Sequence, residues 1–402
     1  MPKDLRSARL SAQLLHRPPG PGVGGMVRHL LAVQAQDVPS ALLAFRARSA
    51  TVTVKEIEAA WQAREIVRAW GPRGTLHFVH RDDLSWLLAL TRDDTGTLRR
   101  LAQEGVTGDD LLPLIDRALA GQGPLTKAQL EARLGGRARG QGIVHLVALA
   151  AFHGLAVLGP LDRGKPTYVH TADWLGAPIA FEPDRDRALA ELALRYLRAH
   201  APAAPADLAA WSGLPLGAAR SAFDLIAPSL EAAPLGGVRL RTRSHPYHQP
   251  TEEPEPPPSD HQPKGEIDRA PAGHQPWGIA VGEFDPVPAG RQPAGSAASG
   301  FAGGRGGSGG QAVGGVRLAP AFDEYLLGWA DRDLILDPRH RRAVFPGGGI
   351  LRPVMLADGV IEGTWSRKGQ EVTLAPFEPD DLSRWKGEVA DVRAFLSGRP
   401  RP

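Results

Sequence analysis

Residues 124–170, PLTKAQLEARLGGRARGQGIVHLVALAAFHGLAVLGPLDRGKPTYVH, decide the reading of the fold. Thr126 stands ahead of a short apolar-periodic run that stops at Gly135-Gly136, as a helix with a capped start and a glycine end does. After the turn, GIVHLVALAAF forms a longer helical stretch that runs into a strand, and GKPTYVH supplies a second strand across a glycine turn. Helix, turn, helix and β-hairpin is the order of a winged helix. Residues 186–243 repeat the plan more weakly, as ALAELALRYLRAH, PADLAAWSG, PLGAARSAFDLI and GGVRLRTR. The repetition argues for tandem units.

Upstream, apolar residues keep helical spacing: Leu5, Leu10, Leu14 and Leu15, then Val27, Leu30 and Leu31, then Ile57, Trp61 and Ile66. Thr53 and Glu56 form a capping-box start for the third of these stripes. The segment GTLHFVH, 74–80, alternates as a strand does, and RDDLSWLLALT reads as helix. Downstream, ILRPVML, VIEGTWSR and QEVTLAPF alternate around glycine turns before a closing helix, LSRWKGEVADVRAFL. Between the two blocks, about 245–315 is rich in Pro, Gly, Ser and charge, with His-Gln-Pro starting at 248, 261 and 274. Such a stretch cannot bury enough apolar surface to offset its ordering entropy. The expected architecture is α+β, mainly α. It has winged-helix units at 1–120, 121–180 and 181–244, a disordered insertion at 245–315 and a β-rich domain at 316–402.

The chain has 402 residues and no cysteine, which excludes disulfide scaffolds, thiolate metal sites and thiol nucleophiles. It has no apolar run long enough to cross a membrane, and MPKDLRSARL lacks an apolar signal core, so a soluble cytoplasmic protein is expected. Net charge is only +3, but 40 of the 47 basic residues are Arg, the side chain suited to forked recognition of phosphate and guanine. Coding DNA rich in G and C gives the same bias. Residues 1–48 hold seven basic groups, Lys3, Arg6, Arg9, Arg17, Arg28, Arg46 and Arg48, against Asp4 and Asp37.

The sharpest local anomaly is Gln34-Ala35-Gln36. One further step along Val27, Leu30 and Leu31 places Gln34 at an inward position, where an amide is costly without partners. In a continuing helix Gln36 points elsewhere. If the helix has already ended, an extended Ala35 brings both amides to one side. Pro39 favours an ending, and Asp37 can cap the next element of the chain. The bland alternative is that Gln34 satisfies backbone groups at a seam while Gln36 is solvated.

LLAVQAQDVPSALLAFRAR (30–48), EIVRAWGPRGTLHFVHRDDL (65–84) and the C-terminal stretch 319–359, beginning APAFDEYLLGWADRD, together resemble the winged-helix DNA glycosylases of the AlkZ/YcaQ type. The resemblance rests on Gln34-Ala-Gln36 and, some forty residues on, Arg73-Gly-Thr75-Leu-His77. It implies a duplex-binding monomer, nucleoid-associated, with no cofactor or metal. It also implies hydrolysis of the N-glycosidic bond of alkylated purines, N7-linked guanine adducts and interstrand crosslinks included, in DNA repair or toxin self-resistance. Gln34 and Gln36 are then the expected catalytic pair, and Arg73, Thr75 and His77 candidate DNA contacts. Arg341 and Arg342, in the run RHRRAVFPGGGI, are expected on a basic hairpin at a groove, a solvated charge run being the alternative. Asp37 is an acid beside the motif, but the residue after Gln36 should face another way. From the fold alone, a non-catalytic winged-helix regulator is the competing expectation.

Overall fold

In the computed structural model, which describes residues 2–18, 20–233, 236–241 and 315–401, helices dominate up to residue 233. Six short strands thread between them: β1 (Ala32–Gln34), β2 (Ile66–Trp70), β3 (Leu76–His80), β4 (Leu125–Thr126), β5 (Ala156–Asp162) and β6 (Lys165–His170). All pair antiparallel, in the order β1-β3-β2-β5-β6-β4. The strands expected in two separate units therefore share one sheet, joined where Arg68 of β2 faces Leu158 of β5.

The helix–helix–hairpin order read in 124–170 is present. A helix at Lys127–Arg133 is opened by a Thr126–Gln129 capping box, Gln141–Phe152 follows, and β5 and β6 close the unit. The weaker repeat holds too, with helices Arg185–His200, Pro205–Ser212 and Leu216–Leu225 and a hairpin of β7 (Leu230–Ala232) and β8 (Val238–Leu240). Helix 185–200 is the hub: Leu189, Leu192, Ala193, Tyr196 and Leu197, at the i, i+3, i+4, i+7, i+8 spacing, are all buried. Asp184 caps its start by accepting from the Asp186 and Arg187 amides.

The C-terminal block is a four-stranded antiparallel sheet of β9 (Val316–Ala319), β10 (Val354–Ala357), β11 (Val360–Lys368) and β12 (Glu371–Pro376), ordered β12-β11-β10-β9. The alternating segments anticipated from sequence are β10 to β12, whereas β9 carried no separate signal. Helix Lys386–Ser397 covers the sheet and packs against helix Val38–Arg48 of the N-terminal block.

One open choice is decided and one expectation is corrected. Of the two courses open at Gln34 the chain takes the ended helix: the helix stops at Leu30, Leu31 turns to φ 71°, and Gln34 is the last residue of a strand. The run after Asp337 is not a hairpin through the arginines. Pro338–His340 is a 3-10 turn and Arg341–Val344 one helical turn, and only Gly347 and Ile350 bridge across the glycines. The expected insertion at 245–315 lies outside the described residues but for its last, Gly315. No helix among the described residues is long and apolar enough to cross a membrane.

Candidate active site

The Gln-Ala-Gln segment sits where β1 becomes a helix. β1 is an edge strand paired only with β3, Gln34 opposite His77, and the Ala35 amide donates to the Leu76 carbonyl at 2.7 Å. Asp37 ends the segment by capping helix 38–48, its Oδ2 accepting from the Ser40 amide at 3.0 Å. That bond commits Asp37 to the helix start and explains why the chain turns there.

Both glutamines face the connection between β2 and β3. Gln34, 7% exposed, accepts at Oε1 from the Arg73 guanidinium at 3.1 Å. Gln36, partly exposed, accepts at Oε1 from the Leu76 amide at 3.2 Å. Because each oxygen meets a group that can only donate, the donors fix which end of each amide is oxygen. A carbonyl oxygen has two lone pairs, so each keeps one. Neither Nε2 has a hydrogen-bond partner among the described residues.

The connection itself is held tightly. Arg73 adopts φ 59°, in the left-handed region, and also donates to the Trp211 carbonyl. Gly213, φ 81°, ends the helix that carries Trp211 and abuts Arg73 so closely that a Cβ there would lie 3.1 Å from the Arg73 Cα. Burial lowers the Arg73 pKa, and Glu324 opposes that. Thr75 donates to the Pro72 carbonyl at 3.1 Å, spending its hydroxyl inside the turn. His77 is fully buried, with Nδ1 3.0 Å from the Thr75 carbonyl. Burial, with Arg73 adding to it, pushes His77 down to about 3. The ring is therefore neutral at physiological pH, with its proton on Nδ1 and an unpartnered Nε2.

Three groups that sequence reasoning did not single out complete the site. Arg68, buried in β2, donates from Nε to the Ala35 carbonyl at 2.9 Å and from NH2 to the Gln36 carbonyl at 3.3 Å. Its signal was available, a charge in the middle of the apolar run IVRAW. Glu324, 1% exposed, accepts from the Gln34 amide at 3.0 Å and from the Trp211 indole at 2.9 Å. Nothing local marks it, since its partners lie 290 and 113 residues away. Arg332, stacked over Phe345, has its pKa lowered by burial, with Arg73 and Arg341 adding to it.

The structure thus brings Gln34, Gln36, Arg73, Thr75 and His77 together around one connection. Arg341 and Arg342 lie apart on the exposed helical turn. Arg341 pairs with Asp333 at 2.8 Å, and Arg342 has no hydrogen bond or ion pair among the described residues.

The family model for AlkZ-like DNA glycosylases matches residues 27–302 and 295–395. The chain belongs to this family. Within it, the chain is similar to a curated Streptomyces sahachiroi protein named interstrand DNA cross-link repair glycosylase, 43% identical over 67 residues. That segment is 16% of this chain and 18% of the relative, so the curated match spans under a fifth of the relative's length. The fold as a whole is similar to the solved structure of Streptomyces sahachiroi DNA glycosylase AlkZ, with a TM-score of 0.71 at 23% identity. The match covers 99% of this chain and 97% of that one. The AlkZ-like fold therefore extends over both blocks, and the Gln-Ala-Gln segment lies inside the family match.

Proposed function

We propose that this AlkZ-like chain is a monofunctional, metal-free DNA glycosylase that hydrolyses the N-glycosidic bond of cationic N-alkylpurines. N7-alkylguanine adducts and interstrand crosslinks are its substrate class, the latter in keeping with the name of the curated relative. In this reading the helical units are three tandem winged helices, at 1–120, 121–180 and 181–244. They bind duplex DNA as a cytoplasmic, nucleoid-associated monomer.

The observation that carries the proposal is the state of the two amides. Each oxygen is pinned by one protein donor and retains one lone pair, so the pair can hold a water by accepting its protons. An N7-alkylated guanine already bears positive charge, and its departure relieves that charge without a general acid. The remaining demand is to place the water and tolerate a cationic sugar, which negative dipole ends of fixed amides meet without reorganising. Glutamine is not a strong base, so ordinary neutral bases are not substrates. Arg341 and Arg342, exposed on their helical turn, are the proposed phosphate contacts, whereas Arg73, Thr75 and His77, expected as DNA contacts, are turned inward and hold the loop behind the glutamines.

The test is release of N7-methylguanine from a defined duplex by the purified protein. Gln34→Ala/Gln36→Ala lowers the single-turnover rate by at least about 100-fold, with DNA affinity kept within a few-fold. A double variant as active as the wild type refutes the assignment. A non-catalytic regulator predicts no base release at all and a preferred operator sequence.

A further inference from the structure

β1 is an edge strand, so the Gln34 amide has no strand to bond to on its outer side, while the neighbouring Ala35 amide is taken by Leu76 of β3. Glu324 fills that vacancy from the C-terminal block. One oxygen accepts the Gln34 amide at 3.0 Å, and the other accepts the Trp211 indole N–H at 2.9 Å. A neutral acceptor would satisfy a lone peptide N–H equally well. Burying a carboxylate is costly, and burial indeed raises the Glu324 pKa against the pull of Arg73, Trp211, Gln34 and Arg48. Groups whose burial opposes stability in this way concentrate at functional sites.

Position explains the use of a charge. Glu324 stands behind Gln34, and Arg73 stands at the Gln34 side-chain oxygen. An uncompensated guanidinium there would disfavour the cationic sugar that the proposed reaction forms. Arg48, the other cation acting on Glu324, is already engaged by Asp323 through two bonds of 2.7 and 2.9 Å.

We infer that Glu324 is a positioning residue of the glycosylase site: it fixes the main chain of Gln34, ties it to Trp211, and sets beneath the motif a negative charge that offsets Arg73. This rests on the proposed glycosylase activity. It also makes the C-terminal block part of the active centre, joined to the motif through one carboxylate.

The experiment compares wild type, Glu324→Gln and Glu324→Gln/Trp211→Phe as full-length proteins. The single variant keeps the shape, but its amide N–H2 meets the indole N–H, and Trp211→Phe removes that clash. A duplex bearing one N7-methylguanine is the probe. Expected is a fall of about 10- to 100-fold in the single-turnover rate of both variants at saturating DNA. The DNA dissociation constant stays within about twofold in both variants. Amide exchange at Gln34 and in β10 stays at the wild-type rate in both, because the side-chain oxygen left by Glu324→Gln still accepts the Gln34 amide, so the rate loss reads the missing charge. Wild-type rates in both variants, or a rate loss matched by equal loss of DNA affinity and exchange throughout the fold, overturns the inference. Should the wild type release no base, the glycosylase reading fails instead, and Gln34 exchange in Glu324→Ala, faster than in the wild type while β10 is unchanged, still decides whether residue 324 holds the motif.

Discussion

The arginines of helix 38–48 and those of the 338–344 segment carry the same charge and have opposite surroundings. Arg46 is wholly buried, pairing with Glu388 and, at 2.8 Å, with Asp391, and donating to the Leu318 carbonyl at 2.8 Å. Arg48 is as deeply buried against Asp323, and Arg17 reaches Glu388 and Asp391 at 2.8 Å each. These groups fasten the C-terminal block to the motif-bearing half of the chain. Arg341 and Arg342 are exposed, and Arg342 is without an acidic partner among the described residues. The positive excess of residues 1–48 is therefore largely an internal fastening. Charge counted along a sequence does not distinguish a guanidinium that meets a carboxylate inside from one free to meet phosphate outside.

The strongest way to break this contrast is Arg48→Met. It leaves Asp323 buried and uncompensated, so a stability loss of about 3–5 kcal/mol is expected from urea unfolding. A loss below about 1 kcal/mol would place Arg48 with the surface group.

Acid separates the two buried regions next. His77 and His200 are held near 3 by burial, from an ordinary value of 6.5. Their folded values lie below the unfolded ones, so the stability they contribute is complete above pH 6.5 and falls as pH drops toward 3. At pH 5 the loss is roughly 2 kcal/mol for each. Asp391, although burial raises it, is brought down to about 2 by Arg401, Arg46 and Arg17. Its contribution is complete above its ordinary 3.8 and is lost only below that. Urea midpoints at about pH 7, 5 and 3.5 should thus fall first through the histidines, with the arginine fastening lasting longer. Equal midpoints at the two higher pH values contradict this.

On the outer side, Arg341→Ala/Arg342→Ala should weaken duplex binding about tenfold and reduce the salt slope of the binding constant by about 1 to 2, with no change in melting temperature. A melting shift of several degrees would show that these residues belong with the fastening. The smallest effect is expected for Arg28→Ala, which breaks an exposed pair with Asp82 and should cost under about 1 kcal/mol.

Much of this organisation can be read from residue order. The capping boxes at Thr53 and Thr126, the cap at Asp37 and the alternation in β10 to β12 are local, set by side chains within a few residues of the backbone they serve. Gln34 and Gln36 stood out because an amide interrupts an apolar pattern. Their conformation was less legible: the stripe through Leu30 and Leu31 continues smoothly on paper, and only pairing with β3 turns residues 32–34 into strand. β9 escaped notice because its reason for being a strand is β10, far along the chain.

The sequence by itself thus determined the local elements and set apart the two glutamines, because period, capping and turn chemistry act over a few residues, while the Arg73–His77 connection was marked only by the family resemblance. Tertiary structure alone decided which arginines are interior, that two units share a sheet through Arg68, and that Glu324 lies under Gln34. Each of these depends on a buried charge or amide finding a partner far along the chain. Such pairing is an energetic condition of the folded state that no short window of sequence contains.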